Sequence, residues 1–528
     1  MLDLAIIDGF IVDGTGNPGY VGDIGIRDGK IVQMGQLSQD AKKTVNASGR
    51  VVCPGFIDPH THEELTLFIN PVLERYMRQG VTTCINGNCG TSIAPTYEET
   101  EEFFRTQGKD YALDAVDEPW GSLDEYRESL QKRGGLGFNH GLMVGHNTIR
   151  WSVMGFEDRP PTSQEMEMMK DRLLAGLDQG ALGMSTGLVY VPGRAASTDE
   201  VMELVGLLPD YDATYATHVR GWSSRGDGVA EAIQIGRQTG ATVQVSHLNC
   251  SDKQPIGWIE DARQRGVEIA CDIMPHSGGH VYRADKYLYA VKNVSFEYRG
   301  TTIDEFRQLL KKPESRQKVA GRNIQMQVPP EDVILIHTED CDWENRSVAE
   351  IAQRLDCDPT DLWFDLMIEE EPRVNFWMAG HQRNKTNLDK FPILKETVSS
   401  PVVCCGSDAM MPNPRDPYGH YELQRNGVFP TFLDYNSDHQ QRFEYVIQRL
   451  TSLPAQQFRL KDRGLLREGF TADINVFDPD EFYWPSEINP NNPFVIAQGM
   501  DYVCVNGKLV IDGGALTDAR PGRVLLKD

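Results

Sequence analysis

The sequence predicts an α/β protein built on a (βα)8 barrel, with short β-segments at both chain ends and a long insertion between the seventh and eighth barrel strands. Three observations predict this. Apolar, strand-like runs alternate with helix-like segments through the middle of the 528-residue chain, as parallel βα units require. The first 50 residues, and those after about Gly464, instead carry short apolar runs separated by Asp-Gly and Asn-Gly turns. Finally, the interval from Cys271 to Pro401 far exceeds an ordinary βα connection, so it must hold extra structure.

The N-terminal stretch MLDLAIIDGFIVDG has an acid at Asp3, no basic leader region and no small-residue cleavage site, so it is expected to be a first strand rather than a signal peptide. VGDIGIRDGKIVQMG follows, with Asp-Gly at 8–9, 13–14 and 28–29 as turn signals. GLLREGFTADINVFDPD and YVCVNGKLVIDGG repeat this texture near the other end, with Asn506-Gly507 as a hairpin turn. Between them, the barrel strands are expected to end near His60, Cys89, Gly145, Ser185, His218, His247, Asp272 and Asp408. Helical stretches such as 164–179 and 228–239 lie between some of these. The insertion holds helical segments at 302–311, 348–355 and 361–369 and the apolar run DVILIHTED. A lid over a site and an additional packing layer both fit it.

Composition narrows the function classes. Hydrophobic residues make up 40% and charged residues 24% of the chain, the profile of a globular protein. No apolar run approaches the roughly 20 residues of a membrane span. The formal net charge of −25 and the absence of a Lys/Arg block argue against a nucleic-acid surface. An anionic substrate remains compatible, because charges beyond about 10 Å are largely screened. Ten cysteines without a regular framework suggest reduced thiols and a cytoplasmic protein, with the adjacent Cys404-Cys405 pair buried.

The chemistry is organised around VVCPGFIDPHTHEE, Val51 to Glu64. Side chains alternate along a strand, so His60 and His62 point the same way and can hold one ion between them. Cys89 in INGNCG, His218 in YATHVRG and His247 in VQVSHLN each end a later strand-like run. One thiolate and two imidazoles make a three-ligand zinc site with an open fourth position. Such a zinc acidifies water and polarises a carbonyl, both of which amide hydrolysis needs. Asp408, in VVCCGSDAMMP, ends the last strand and so faces the same mouth. Taken singly, each of these has a bland reading as a buried thiol, an ordinary barrel histidine or a capping Asp.

The apolar strand, Pro-Gly, Phe-Ile, Asp and His-x-His in sequence resemble the first-strand signature of the amidohydrolase superfamily, metal-dependent hydrolases on a TIM barrel. GNCG, STGLVYVPG, THVR, SH and GSD, in that order, and VGHNTIR are similar to the N-acyl-D-amino-acid deacylase (D-aminoacylase) branch. ALGMSTGLVY offers no Lys of the kind that bridges two metals in many relatives; in this branch a Cys takes that place. The resemblance implies a small β-sandwich built from residues 1–50 and 464–528, around a catalytic barrel at 51–463 whose insertion covers about 276–400.

It further implies one tightly bound Zn2+ on Cys89, His218 and His247. His60 and His62 line a second position whose occupancy is left open, and Asp408 serves as acid and base. Tyr190 and Arg415, in NPRDPYG, hold the substrate carboxylate, a task that suits a planar guanidinium. Two departures put substrate choice in question. Asn249 stands where many relatives have Lys after the SH motif, and DIMPHSGGHVYRAD replaces a Tyr-Pro-Tyr-like segment. Arg220, Arg283, Tyr282 or His276 are candidates to compensate.

The expected function is therefore zinc-dependent hydrolysis of a small-molecule N-acyl-D-amino acid, with no nucleic-acid or membrane partner. Hydrolysis of another amide at the same site, such as a D-residue dipeptide or a cyclic amide, is an alternative. So is a non-catalytic scaffold, against which stands the retention of all six candidate ligand and acid/base positions.

Overall fold

The computed structural model describes the chain apart from residues 95–102, 105–119, 222–225, 249–253, 276–279, 294–295, 299–300, 323–325, 327, 340–341, 379–397, 411–418, 438–441, 486–494 and 528. Two runs of parallel strands form its centre. In the first, β1 (Phe56–Asp58), β2 (Val81–Asn86) and β3 (Asn139–Leu142, resuming as Val144–Gly145) lie side by side. From the Val144–Gly145 part the second run continues through β4 (Gly183–Gly187), β5 (Thr214–His218), β6 (Thr242–Val245), β7 (Ile269–Ile273) and β8 (Val403–Cys405). The ring closes where Thr61 bridges Ala409 in parallel and the His62 amide donates to the Ala409 carbonyl at 2.8 Å.

These strands are buried on both faces, which is why they read as continuous apolar runs rather than alternating ones. Amphipathic helices cover them, among them Ser163–Asp178 and Gly226–Thr239, close to where the sequence places them. The first of these starts at a full capping box between Thr162 and Glu165.

Both chain ends enter one sheet. Leu2–Ile11 pairs with Tyr20–Arg27, Ala41–Asn46 and Val51–Pro54, and Val51–Pro54 pairs antiparallel with Ile474–Phe477, which leads on to Met500–Val505 and Lys508–Asp512. The stretch VVCPGFID is therefore split: its first half belongs to the terminal sheet and its second half to the barrel. Gly55, where the two halves meet, packs against Thr82 so closely that an added Cβ would lie 2.2 Å from its Oγ1. The last short strand, Val524–Leu525, pairs in parallel with β3 instead of joining the terminal sheet.

The insertion builds its own layer. Val333–Ile336, Asn375–Met378 and His280–Arg283 form neighbouring strands of a separate sheet, which is extended by His420–Glu422, a strand that follows β8 and lies outside the expected insertion. A second core backs it, with Tyr287, Trp363 and Phe376 in mutual aromatic contact. The insertion therefore carries a core of its own.

One barrel residue couples the fold to pH. His140 on β3 is fully buried, with Asn86 Nδ2 at 2.7 Å from its Nδ1 and the Tyr126 hydroxyl at 3.0 Å from its Nε2. Burial pushes its imidazole pKa down from 6.5 to about 3. An unfolded chain takes up this proton below about pH 6.5, whereas the folded one resists it to about pH 3. Its contribution to stability is thus present above pH 6.5 and is lost as pH falls through that window, at up to about 1.4 kcal/mol per pH unit. In His140→Gln the acid limb of the stability curve is expected to flatten. Urea midpoints measured from pH 7 to 4 check this, and parallel curves for the two proteins would sink it.

Candidate active site

The strand tips converge on a buried cluster of metal-binding side chains. Cys89 Sγ lies 3.4 Å from His60 Nε2, 3.4 Å from His247 Nε2 and 3.7 Å from His218 Nδ1. One donor atom from each of His60, Cys89, His247 and Asp408 lies within 4.8 Å of the other three. His218 completes the arrangement by packing its ring against that of His247, with centroids 4.4 Å apart. His62 lies at the mouth, its Nε2 3.2 Å from Asp408 Oδ1, and its ring centroid is 5.2 Å from that of His60. Both histidines meet in one cluster, but β1 ends at Asp58, so the segment after the strand presents them and alternation along a strand does not.

Three of these side chains are presented from left-handed backbone: Cys89 (φ 52°), His247 (φ 34°) and Asp408 (φ 49°). Such conformations cost a non-glycine residue on the order of 1–3 kcal/mol each and persist only where neighbours over-determine them. Here they do. The His247 amide donates to Asp272 Oδ1 at 2.8 Å, and Gln244 Nε2 fixes the other oxygen of that carboxylate at 2.8 Å. Asp58 Oδ1 accepts the amides of His60 and Ser407, both at 3.1 Å, tying the tips of β1 and β8 together.

Electrostatics set the charge of two members of the cluster, His60 and Asp408. Burial pushes the His60 imidazole pKa down, more than Asp408 and Asp272 raise it, and a neutral imidazole is the ligand form. For Asp408, burial opposes ionisation, but the Arg425 guanidinium and the His62 hydrogen bond outweigh it and hold the carboxyl well below the usual carboxylate range. Arg425 Nη2 lies 3.7 Å from Asp408 Oδ2 and is itself buried.

The sequence reading missed this arginine. It lies in a short 3-10 segment, Leu423–Asn426, and no spacing or motif marks it. Asp272 had the same signal as the ligands, an acid at a strand tip, and supports His247 rather than facing the metal cluster alone.

The proposed substrate contacts are distributed differently. Tyr190 follows β4 and packs its ring edge-on against His218, with centroids 4.9 Å apart. Arg220 is held by other groups: Nε meets both Glu231 oxygens at 3.0 and 3.1 Å, and Nη2 donates to the Ala196 carbonyl at 2.5 Å. Arg283 forms a two-point pair with Asp285 at 2.6 and 3.0 Å. Tyr282, beside it on the insertion sheet, packs against His280 and Tyr287. Arg415, His276 and Asn249 lie outside the described residues.

The donor set fits zinc. A buried thiol surrounded by three imidazoles, with a carboxylate at its edge, matches the N/S/O ligand chemistry of that ion. His60 turns its Nε2 to Cys89 Sγ and Asp408 Oδ1, each 3.4 Å away, while its Nδ1 lies 3.8 Å from Asp272 Oδ1, so Nε2 is the atom an ion would meet. His60, Cys89, His247 and Asp408, with His218 beside them, are the side chains available to hold such an ion.

The chain is similar to known proteins along its whole length. The amidohydrolase family model matches residues 43–272 and 348–511, leaving out only part of the insertion within that span. An N-acyl-D-glutamate deacylase of Alcaligenes xylosoxydans xylosoxydans is 30% identical over 100% of this chain and 97% of its own. A crystal structure of N-acyl-D-glutamate deacylase from Bordetella bronchiseptica, complexed with zinc and a phosphonate inhibitor, superposes with a TM-score of 0.76 at 28% identity, covering 100% of both chains. A D-aminoacylase with a binuclear metal centre superposes at 0.75 with 26% identity, again over 100% of both. On the family match and the full-length similarity together, this chain belongs to the amidohydrolase family.

Proposed function

We propose that the protein is a zinc-dependent amidohydrolase that cleaves N-acyl-D-amino acids to a carboxylate and a free D-amino acid. The observation that carries this reading is the convergence of Cys89, His60, His218 and His247 on one point with Asp408 beside it. The D preference rests on the deacylases to which the chain is similar.

When bound, zinc supplies Lewis acidity to the amide carbonyl and acidifies a water. The remaining steps fall to side chains. Asp408, kept ionised by Arg425 and His62, accepts the proton of the attacking water and returns it to the amide nitrogen as the C–N bond breaks. His62 orients this carboxylate through its hydrogen bond to Oδ1. Tyr190 is assigned to the substrate, and its ring contact with His218 supports a place beside the cluster.

Recognition of the substrate carboxylate is assigned to Arg415 with Tyr190. Arg220 and Arg283 are engaged by Glu231 and Asp285, which favours Arg415 as the critical cation. Arg415→Ala is expected to lose on the order of 2–5 kcal/mol with the free acid and little with the corresponding amide. The ratio of kcat/KM for acid and amide in both proteins reads this directly. An unchanged ratio would remove Arg415 from the carboxylate site.

The same reading divides the chain into a β-sandwich from 1–50 and 464–528 and a barrel from 51–463 that carries the insertion. Pairing of Leu2–Ile11 through Val51–Pro54 to Ile474–Phe477 supports one terminal unit made from both chain ends, with Val51–Pro54 on its side of the boundary and Val524–Leu525 on the barrel's. No helix of the described residues is long and apolar enough to cross a membrane. Cys53, Cys84, Cys404, Cys405 and Cys504 are buried thiols outside any disulfide, in keeping with a cytoplasmic protein. Metal analysis of the purified protein, followed by hydrolysis assays on matched D and L N-acyl amino acids, tests the assignment. Metal-free protein, or turnover of the L series alone, would overturn it.

A further inference from the structure

The Cys89 thiol is delivered by a loop held in an unusual backbone conformation, and one hydroxyl spans that loop. Gly87, Cys89 and Gly90 all have left-handed backbone, with φ of 77°, 52° and 75°. The glycines are required: a Cβ on Gly87 would lie 2.3 Å from the Met143 carbonyl oxygen, and one on Gly90 would lie 2.6 Å from the Gly187 nitrogen. Ser185, on β4 and fully buried, donates its Oγ hydrogen to the Gly87 carbonyl at 2.5 Å and accepts the Gly90 amide at 3.0 Å. These two bonds bracket Asn88 and Cys89. A hydroxyl suits the place because one atom must both donate and accept.

We infer that Ser185 is a positioning residue for the metal site, cross-bracing the loop so that the Cys89 thiol faces His60, His218 and His247. The inference rests on the reading of Cys89 as a metal ligand. Ser185 touches the backbone on either side of the ligand and acts through it. Without the hydroxyl, the Gly87 carbonyl and the Gly90 amide lose their shared partner inside a buried loop, and the left-handed Cys89 loses the brace that sets its direction. Partners that orient a ligand from behind typically contribute 10- to 100-fold in metal affinity.

The test measures zinc affinity by chelator competition, together with the near-ultraviolet thiolate-to-cobalt charge-transfer band of the cobalt(II)-substituted protein. The wild-type protein is expected to show the band and Cys89→Ala to lack it. Ser185→Ala is expected to bind zinc about 10- to 100-fold more weakly, with the band weakened or shifted. Ser152→Ala serves as a control, since it removes another buried hydroxyl, one that donates to the Ile149 carbonyl at 2.9 Å, and it should change neither readout. Unchanged affinity and an unchanged band in Ser185→Ala would overturn the inference.

Should Ser185→Ala not fold, the near-isosteric pair Ser185→Thr and Ser185→Val asks the same question. The Thr protein should bind zinc more tightly than the Val protein, and equal affinities would overturn the role of the hydroxyl. Absence of the band in wild-type protein would remove Cys89 from the site and this inference with it. A band that responds to Ser185 in a protein inactive on N-acyl-D-amino acids would instead retire the proposed substrate and leave the positioning role standing.

Discussion

Replacing Asp408 with Asn is expected to leave zinc in place while turnover falls by about 10² to 10⁴, the usual contribution of a general acid/base. The substitution keeps the size of the side chain and its capacity to accept from His62, which lies 3.2 Å away. What it removes is a proton acceptor held ionised far below neutrality. Because Asp408 contacts His62 and His60 as well as facing the proposed metal position, metal content must be measured on the same samples. Near-normal turnover would end its assignment as the base. A fall in turnover that tracks lost zinc would recast it as chiefly a ligand.

Cys89→Ala is expected to give a folded protein that retains little zinc after dialysis. A tight site made of one thiolate and two imidazoles loses its only anionic ligand, and two neutral donors hold zinc poorly. Full zinc retention would remove Cys89 from the site. The companion variant, with His60 and His62 both replaced, tests the division of ligands. In the proposed reading it loses much less tight zinc than Cys89→Ala. The geometry makes this a demanding comparison, since His60 Nε2 and His247 Nε2 are equally distant from Cys89 Sγ, at 3.4 Å. Equal zinc loss in the two variants would merge the two positions into one.

The metal-binding cluster was legible because each member stands at a strand tip, and a strand tip is a local property of sequence: an apolar run, then a polar side chain. Parallel strands in a closed ring bring all such tips to one face, so His60, His62, Cys89, His218, His247 and Asp408 could be placed together before any coordinate was known. The short β-segments at the two ends were legible from their turn residues. Which strand pairs with which was not, and so Val51–Pro54 was read with the barrel although it completes the terminal sheet.

Sequence by itself determined the fold class and brought the candidate metal-binding side chains to strand tips, because apolar runs and turn residues are properties of neighbouring residues. Tertiary structure alone decided what surrounds them. Arg425 reaches Asp408 from the 3-10 segment that follows β8, Asp272 props His247 from the next strand, and Ser185 grips the Cys89 loop from nearly a hundred residues away. It also decided that Arg220 and Arg283 are engaged by Glu231 and Asp285. The physical reason is range: periodicity fixes which way a side chain points along its own strand, whereas the charge or hydroxyl that meets it is set by how distant segments pack.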